Sequence, residues 1–262
     1  MRGIRHRFRY AGAVDKLMRI LGYNILKSAC GREALVAEVI QAYQPDIVMI
    51  AEGADPDCVQ RIADIADYPI VVSQPGCSTA CLSRIPIDFS WQKTGLSRAP
   101  FLVIQPDNSD LQIVGVHFFS NLAGIAEQLR LREVRALLKC TAQFSETPHL
   151  LIGDFNTVVP DDTPDVSSYP LWLKLTVFFN GGGVPRQALR KLIQAGYTDT
   201  FRHFHPDDPG YSIPTPSPNT RLDYIFASSS CLPMIQNSQI LRQPDVILQA
   251  SDHYPTLVDL II

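Results

Sequence analysis

Residues 46–52 read Asp-Ile-Val-Met-Ile-Ala-Glu, and the fold is decided by this stretch. Asp46 to Ala51 is short, apolar and rich in β-branched side chains, the pattern of a strand buried on both faces, and it ends at Glu52. A carboxylate just past a buried strand is held by a rigid element at the rim of a sheet, where a reacting group is well positioned. Upstream, Met18 to Leu26 reads as a second strand. Glu33 to Tyr43 reads as a helix with Val36, Val39, Ile40 and Tyr43 on one face, closed by Pro45. Downstream, Asp55 and Pro56 have the chemistry of an N-cap and first helical residue, predicting a helix to about Ala66.

Further along, strand-like runs come in quick succession at Pro69 to Ser73, Thr79 to Ser83, Pro86 to Trp91, Pro100 to Gln105 and Leu111 to Phe118. The last two flank Pro106-Asp107-Asn108-Ser109-Asp110, a strong turn signal, and so predict an antiparallel hairpin. Leu122 to Cys140 reads as a long helix and His149 to Ile152 as another buried strand leading into Gly153-Asp154. A helix near Arg186 to Ala195 precedes strands at Arg221 to Ser228, Met234 to Leu241 and Thr256 to Ile262. Many antiparallel strands with a few interspersed helices predict two sheets packed face to face with helices outside. No linker divides the chain, so residues 18–262 are expected to form one domain, with residues 1–17 as a basic extension.

The composition supports a globular protein: 262 residues, 46% hydrophobic and 19% charged, with 23 basic and 26 acidic side chains, a formal net charge of −3. Low hydrophobicity with high charge, the mark of disorder, is missing. No apolar run approaches the roughly 18 residues that span a bilayer, and the basic N-terminus lacks the apolar core of a secretory signal. These features predict a soluble, cytoplasmic protein. Its six cysteines, Cys30, Cys58, Cys77, Cys81, Cys140 and Cys231, have no paired spacing and are expected to be reduced structural thiols.

Single acidic or amide residues punctuate the apolar strands at Tyr23-Asn24, Ala51-Glu52, Gly153-Asp154-Phe155-Asn156, Arg221-Leu222-Asp223-Tyr224 and Ser251-Asp252-His253-Tyr254-Pro255. Each has an ordinary structural explanation by itself, as a turn, a cap or a surface pair. Five such segments beside buried strands are harder to explain that way, because gathered carboxylates repel one another and lose solvation without a cation.

In this order, with Pro45-Asp46-Ile47-Val48, Leu82-Ser83-Arg84-Ile85-Pro86, Gly115-Val116-His117 and Asp199-Thr200-Phe201-Arg202, the segments resemble the endonuclease/exonuclease/phosphatase superfamily with the deoxyribonuclease-I-like fold. The resemblance runs from Arg19 to Ile262. It implies an α+β fold, a four-layer α/β sandwich of two mainly antiparallel sheets flanked by helices, and metal-dependent cleavage of phosphate esters. It further implies Glu52 as principal metal ligand with Asn24 and Asp252 beside it. Asp154 would align or deprotonate the attacking water, Asn156 would orient water or phosphate, and His117 would bind a phosphate oxygen. His253 would stand close to the phosphate, with Asp223 fixing its tautomer. An oxygen-rich donor set without a cysteine or histidine cluster suits a hard cation, Mg²⁺ first and Mn²⁺ as a substitute.

Substrate choice stays open at this point. A nuclease-like phosphodiesterase leads. Phosphomonoesterase, inositol-phosphate or sphingomyelinase-like hydrolysis of a phospholipid head group follows, and a catalytically silent binding protein comes last; no obligate protein partner is implied. The segment from Tyr169 to Phe179 is apolar and ends at three glycines, reading as a helix packed on the core or as a lid or lipid-facing surface. His203 and His205 read as loop or surface histidines, Trp91 and Trp172 as packing residues, and Arg84, Asp199 and Arg202 as supports of the site. Residues 1–19 carry a local charge of +5 and the remainder −8, a basic arm on an acidic body. That arm either binds an anionic polymer or membrane, or is a disordered leader or upstream start.

Overall fold

Strands that look uniformly apolar in the sequence divide their side chains between two different cores. In the computed structural model, which describes residues 16–93, 100–120 and 124–262, the elements run in this order: β1 (Leu17–Asn24), α1 (Glu33–Tyr43), β2 (Ile47–Ala51), α2 (Pro56–Ala66), β3 (Ile70–Val72), β4 (Thr79–Ser83), β5 (Ile87–Gln92), β6 (Phe101–Pro106), β7 (Gln112–His117), α3 (Gly124–Thr141), β8 (His149–Asp154), α4 (Leu171–Phe179), α5 (Gln187–Gln194), β9 (Thr198–Asp199), α6 (Thr200–Phe204), β10 (Asp223–Ala227), β11 (Ile235–Ile240), α7 (Ile247–Ala250) and β12 (Thr256–Ile261). They form two six-stranded sheets, ordered β11-β12-β1-β2-β4-β3 and β5-β6-β7-β8-β10-β9.

Ile20, Ile47, Met49, Leu102, Ile104, Ile113, Leu150 and Ile152 meet in the core between the sheets. Their strand neighbours Leu21, Val48 and Ile50 face the opposite way, against α1, α2 and α7. On the other sheet Val103, Val114 and Leu151 face outward under α3 and α5. The two-residue period of a strand therefore assigns alternate side chains to alternate cores. Both faces are covered, so the polar half of the usual alternation is missing from the sequence. The result is the expected four-layer sandwich of helices, sheet, sheet and helices. Each sheet has one parallel pair, β1 with β2 and β7 with β8, among otherwise antiparallel neighbours.

Local signals behave as read at several places. The Asp55 carboxylate caps α2 by accepting from the backbone N–H of Asp57 and Cys58, with Pro56 in the first turn. The turn after β6 pairs Leu102 with Gly115 in an antiparallel hairpin. Elsewhere the structure differs from the reading. Cys30 and Cys58 form a disulfide, with Cα atoms 5.5 Å apart, correcting the expectation of six reduced thiols; Cys77, Cys81, Cys140 and Cys231 are free and buried. The two bonded cysteines are 28 residues apart, and only the docking of α2 beside the β1–α1 loop brings them together. Trp172 is not a packing residue, since it is 67% exposed. Arg84 follows β4 at the end of the sheet where Ser83 pairs with Ile47, away from Glu52; there it stacks on Tyr68 at 4.6 Å.

Residues 1–15, most of the basic extension expected over 1–17, lie outside the described residues, as does Leu122 of the expected long helix. Lys16 already joins the sheet, donating its backbone N–H to Ile262 O at 3.2 Å, and Leu17 opens β1 opposite Ile261.

Candidate active site

The two parallel pairs end at one rim, and that rim collects the polar residues. In the first sheet Asn24 lies opposite Ala51, so Asn24 and Glu52 leave neighbouring strands side by side. In the second, His117 lies opposite Asp154, and antiparallel β10 sets Asp223 against Asp154 from the other side. The turn before β12 adds Asp252 and His253. Gly153 makes the approach to Asp154 possible: its φ is +141°, and a Cβ there would lie 2.0 Å from the Val116 carbonyl oxygen of the adjacent parallel strand. No side chain fits at that distance.

Asn24 joins the sheets across the rim. Its Nδ2 donates to Glu52 Oε1 at 3.3 Å and to Asp154 Oδ2 at 3.0 Å, while its Oδ1 accepts the Leu26 N–H at 3.0 Å. Glu52 is held in the left-handed region, φ 62°, by the loop after β1. The Lys27 N–H donates to Glu52 Oε2 at 2.7 Å, and the Ser28 N–H and hydroxyl both reach the Glu52 carbonyl. That loop is itself unusual, with Leu26, Lys27, Ser28 and Ala29 all at positive φ, between 50° and 59°. Four consecutive non-glycine residues in this region carry backbone strain, which persists only where surrounding contacts impose it. The Arg32 guanidinium supplies such contacts, donating to the carbonyls of Leu26 and Ala250.

Around Asp154, the Asn156 N–H donates to Oδ1 at 2.8 Å and the Asn156 side-chain amide donates to Phe118 O at 3.0 Å. His117 places Nε2 3.9 Å from Asp154 Oδ2 and bonds Ser78 Oγ through Nδ1. His253 Nδ1 lies 2.8 Å from Asp223 Oδ2, and that oxygen also accepts the Ser212 hydroxyl at 2.6 Å. Asp252 Oδ1 lies 4.0 Å from His253 Nε2.

These contacts set the charges. Burial raises the pKa of Asp154, and the facing Asp223 carboxylate raises it further, while His253 and His117 pull it down. Burial works against a charged His253, but Asp223, which both attracts and hydrogen-bonds it, together with Asp154 and Asp252, pushes its pKa up to about 10. The imidazole is therefore favoured in its cationic form, and Asp154 is more basic than an ordinary carboxylate.

The rim carries one oxygen that a hard cation would satisfy. Asp252 Oδ1 is buried with no hydrogen-bond partner among the described residues, a costly state for a carboxylate oxygen that a cation would relieve. Glu52, Asp252 and Asp154 offer oxygens at the same rim. Asp154, Asp223 and His253 also place one potential ligand atom each within 4.8 Å of one another, but the Asp223–His253 pair is already committed to its own hydrogen bond. Asn24 presents its amide nitrogen rather than its oxygen to the carboxylates, so here it bridges Glu52 and Asp154.

All eight residues singled out from the sequence converge on this rim. Sequence reasoning missed Ser212 and Ser251; Ser251 Oγ donates to Asn24 O at 2.7 Å and accepts the His253 N–H at 3.2 Å. Ser251 lies within the Ser-Asp-His motif, which was a usable signal; Ser212 had none beyond its place in the chain. Asp162 was also missed. Arg221 clasps Asp162 and Asp199 beneath the site, and Arg202 reaches Asp162 as well, at 2.8 Å. Asp199 and Arg202 thus support the entrance to β10 and do not reach the rim. His203 is exposed at the surface, whereas His205 bonds the Ser238 carbonyl at 2.8 Å.

Residues 21–253 match the sequence model of the Endonuclease/Exonuclease/phosphatase family. The chain belongs to this family. As an Endonuclease/Exonuclease/phosphatase family member it is a phosphoesterase. Its fold is shared with an AP endonuclease from Archaeoglobus fulgidus, at 18% identity and a TM-score of 0.70 over 93% of this chain and 99% of that one. It is shared equally with the 3′ phosphatase NExo from Neisseria bound to product DNA hairpin, at 17% identity and a TM-score of 0.70 over 93% and 99%. Humanized D. rerio TDP2 follows at 17% identity and a TM-score of 0.66 over 93% and 98%. No curated protein matches the sequence.

Proposed function

We propose that this family member is a divalent-metal-dependent phosphodiesterase, broadly nuclease-like, acting by in-line attack of water. The observation that carries the reading is the pairing, at one rim, of a buried carboxylate of raised basicity, Asp154, with a histidine kept cationic by Asp223. Asp154 accepts the proton of the attacking water. The Asn156 N–H fixes the Asp154 carboxylate for that task. His253 faces the phosphoryl oxygens with its positive charge, Asp223 holding the ring through Nδ1, and His117 adds a second contact to phosphate. Glu52 and Asp252 would hold Mg²⁺, or Mn²⁺ in its place, with Asn24 setting the spacing of the acidic groups. When bound, the cation polarises the phosphoryl group and offsets charge on the leaving oxygen.

A nucleic-acid substrate is favoured by the resemblance in fold to an AP endonuclease and to a 3′ phosphatase bound to DNA. A phospholipid head group is the second reading, favoured by the exposed apolar surface of α4. Hydrolysis of bis(p-nitrophenyl) phosphate with Mg²⁺ or Mn²⁺, with and without chelator, tests the chemistry. Asp154→Asn and His253→Ala are each expected to lose about 10²–10⁴-fold in rate. Turnover that survives chelation, or that is unchanged in both variants, rejects the mechanism. A panel of plasmid DNA, RNA, inositol phosphates and sphingomyelin then identifies the ester.

A further inference from the structure

Helix α4 has the sequence of a helix buried all round, Leu-Trp-Leu-Lys-Leu-Thr-Val-Phe-Phe, yet among the described residues protein covers only one side of it. Val177 and Leu173 pack on Val158, Tyr169, Val184, Leu222 and Ile213, anchoring the helix next to the chain that enters Asp223. Leu171, Trp172, Leu175, Phe178 and Phe179 point outward, at exposures from 48% to 81%. Their spacing, i, i+1, i+4, i+7 and i+8, places them on one helical face, so the exposure is a continuous strip.

The surroundings of that strip are basic. Phe179 borders a groove of about 570 Å³ that it shares with Gln128 of α3 and with Gln187 and Arg190 of α5. From Gln128 the exposed side of α3 continues through Arg132, Arg135 and Lys139, spaced 4, 3 and 4 residues apart along one stripe. Lys174 stands exposed on α4 itself. The only acids in α3, α4 and α5, Glu127 and Glu133, are buried. In a chain of net charge −3, this face concentrates positive charge beside the exposed apolar strip of α4. The exposed acids that flank these helices in sequence are Asp161 and Asp165 before α4 and Glu146 after α3; Asp161 lines a different cavity, with Arg202 and Tyr211.

We infer that α4 and the basic face of α3 and α5 form a docking surface for an anionic lipid bilayer. A nucleic acid satisfies the arginines but offers little to a strip that includes Leu171 and Leu175, whereas a bilayer surface accepts both halves. Aromatic and leucine side chains enter at head-group depth while flanking cations meet anionic lipid. Trp172 and the Phe178–Phe179 pair, whose rings lie 5.7 Å apart, are the insertion points. Because α4 is rooted beside Leu222, docking brings the rim that carries Asp223 close to the membrane. The surface is independent of which ester is cleaved.

The test is sedimentation of the intact protein with vesicles of phosphatidylcholine alone and of phosphatidylcholine with phosphatidylserine, alongside Trp172 fluorescence with brominated lipid. Binding to the anionic vesicles is expected, with quenching of Trp172. Arg132→Gln with Arg135→Gln is expected to weaken it about thirtyfold, and Trp172→Ser with Phe179→Ser about a hundredfold. Hydrolysis of bis(p-nitrophenyl) phosphate by these variants should match wild type, which shows that they are folded; because docking is read without turnover, it stands or falls separately from the catalytic proposal. Failure to sediment, or binding unaltered by both pairs of substitutions, overturns the inference. So does a dimer in solution that Trp172→Ser dissociates, or single-stranded DNA binding that the same variants abolish while vesicle binding persists.

Discussion

Replacing Arg221 with methionine should destabilise the protein through the carboxylates it leaves behind. Arg221 is 1% exposed, donates from Nε and Nη2 to Asp162 at 2.7 and 2.9 Å, and reaches Asp199 from Nη1 and Nη2 at 3.2 and 2.5 Å. Its guanidinium also stacks on Tyr224 at 4.6 Å and lies 5.4 Å from the Phe201 ring. Methionine keeps much of the volume, so cavity formation is a small part of the effect. What remains is two buried acids facing each other across the lost cation. Removing one partner of a buried ion pair costs about 3–5 kcal/mol. Asp162 retains Arg202, and Asp199 retains the Arg202 N–H that it caps, which places the loss near the lower end. At about 2–4 °C per kcal/mol for a domain near this size, the melting temperature falls by about 6–12 °C. Thermal unfolding followed by calorimetry and circular dichroism measures this. The decisive comparison is Arg221→Met combined with Asp162→Asn and Asp199→Asn, which removes the orphaned charges and should recover most of the loss. A single variant within about 1 kcal/mol of wild type, or a triple variant no more stable than the single, refutes the reasoning.

The remaining predictions concern other parts of the same framework. In metal-free protein the native His253 pKa, about 10, lies above the ordinary value near 6.5. Its stabilisation is therefore complete below about pH 6.5 and is lost as pH rises toward 10; wild type should lose stability against His253→Gln across that window, and parallel stability curves would count against it. The Cys30–Cys58 disulfide closes a loop of 28 residues, so Cys30→Ser with Cys58→Ser should cost about 3.5 kcal/mol in denaturant unfolding. Thiol titration of denatured, unreduced protein should find four free cysteines, and six would contradict the bond. Gly153→Ala sets a Cβ against Val116 O, and a loss of about 3 kcal/mol or more is expected, read as insoluble expression or a collapsed melting temperature. Near-normal stability in that variant would mean that β7 and β8 separate more easily than their register implies.

The strands were legible because their chemistry is local. Ile47 to Ala51 and His149 to Ile152 are apolar enough to be recognised without knowing their neighbours, and each leads into the residue that matters, Glu52 or Asp154. Which core each side chain enters was hidden, because Met49 and Ile50 are equally apolar and only the opposite faces of the sheet distinguish them. Pairings across long separations were hidden for the same reason. Nothing near Cys30 points to Cys58, and nothing near Arg221 points to Asp162, 59 residues away. Helix α6 is five residues long, too short for a hydrophobic period, although its Asp199 cap was present to be read. For the outward turn of Trp172 the segment allowed two readings, core helix or exposed surface, since an apolar helix does not show in its own sequence which side will lack a partner.

Strand β12 has a consequence for the order in which the candidate site is completed. Thr256 hydrogen-bonds Gly22, 234 residues earlier, and β12 occupies the position between β1 and β11 in the first sheet. Contacts of such sequence separation form late and slowly. During synthesis Asn24, Glu52 and Asp154 emerge well before Asp252 and His253, and β1 has no outer neighbour until β12 is made. A nascent chain that stops short of Asp252 therefore exposes a gathering of carboxylates without the imidazole and without the strand that sets their distance. The candidate site is thus completed from its C-terminal side, the imidazole and the distance-setting strand arriving after Glu52, Asp154 and Asp223 have been made.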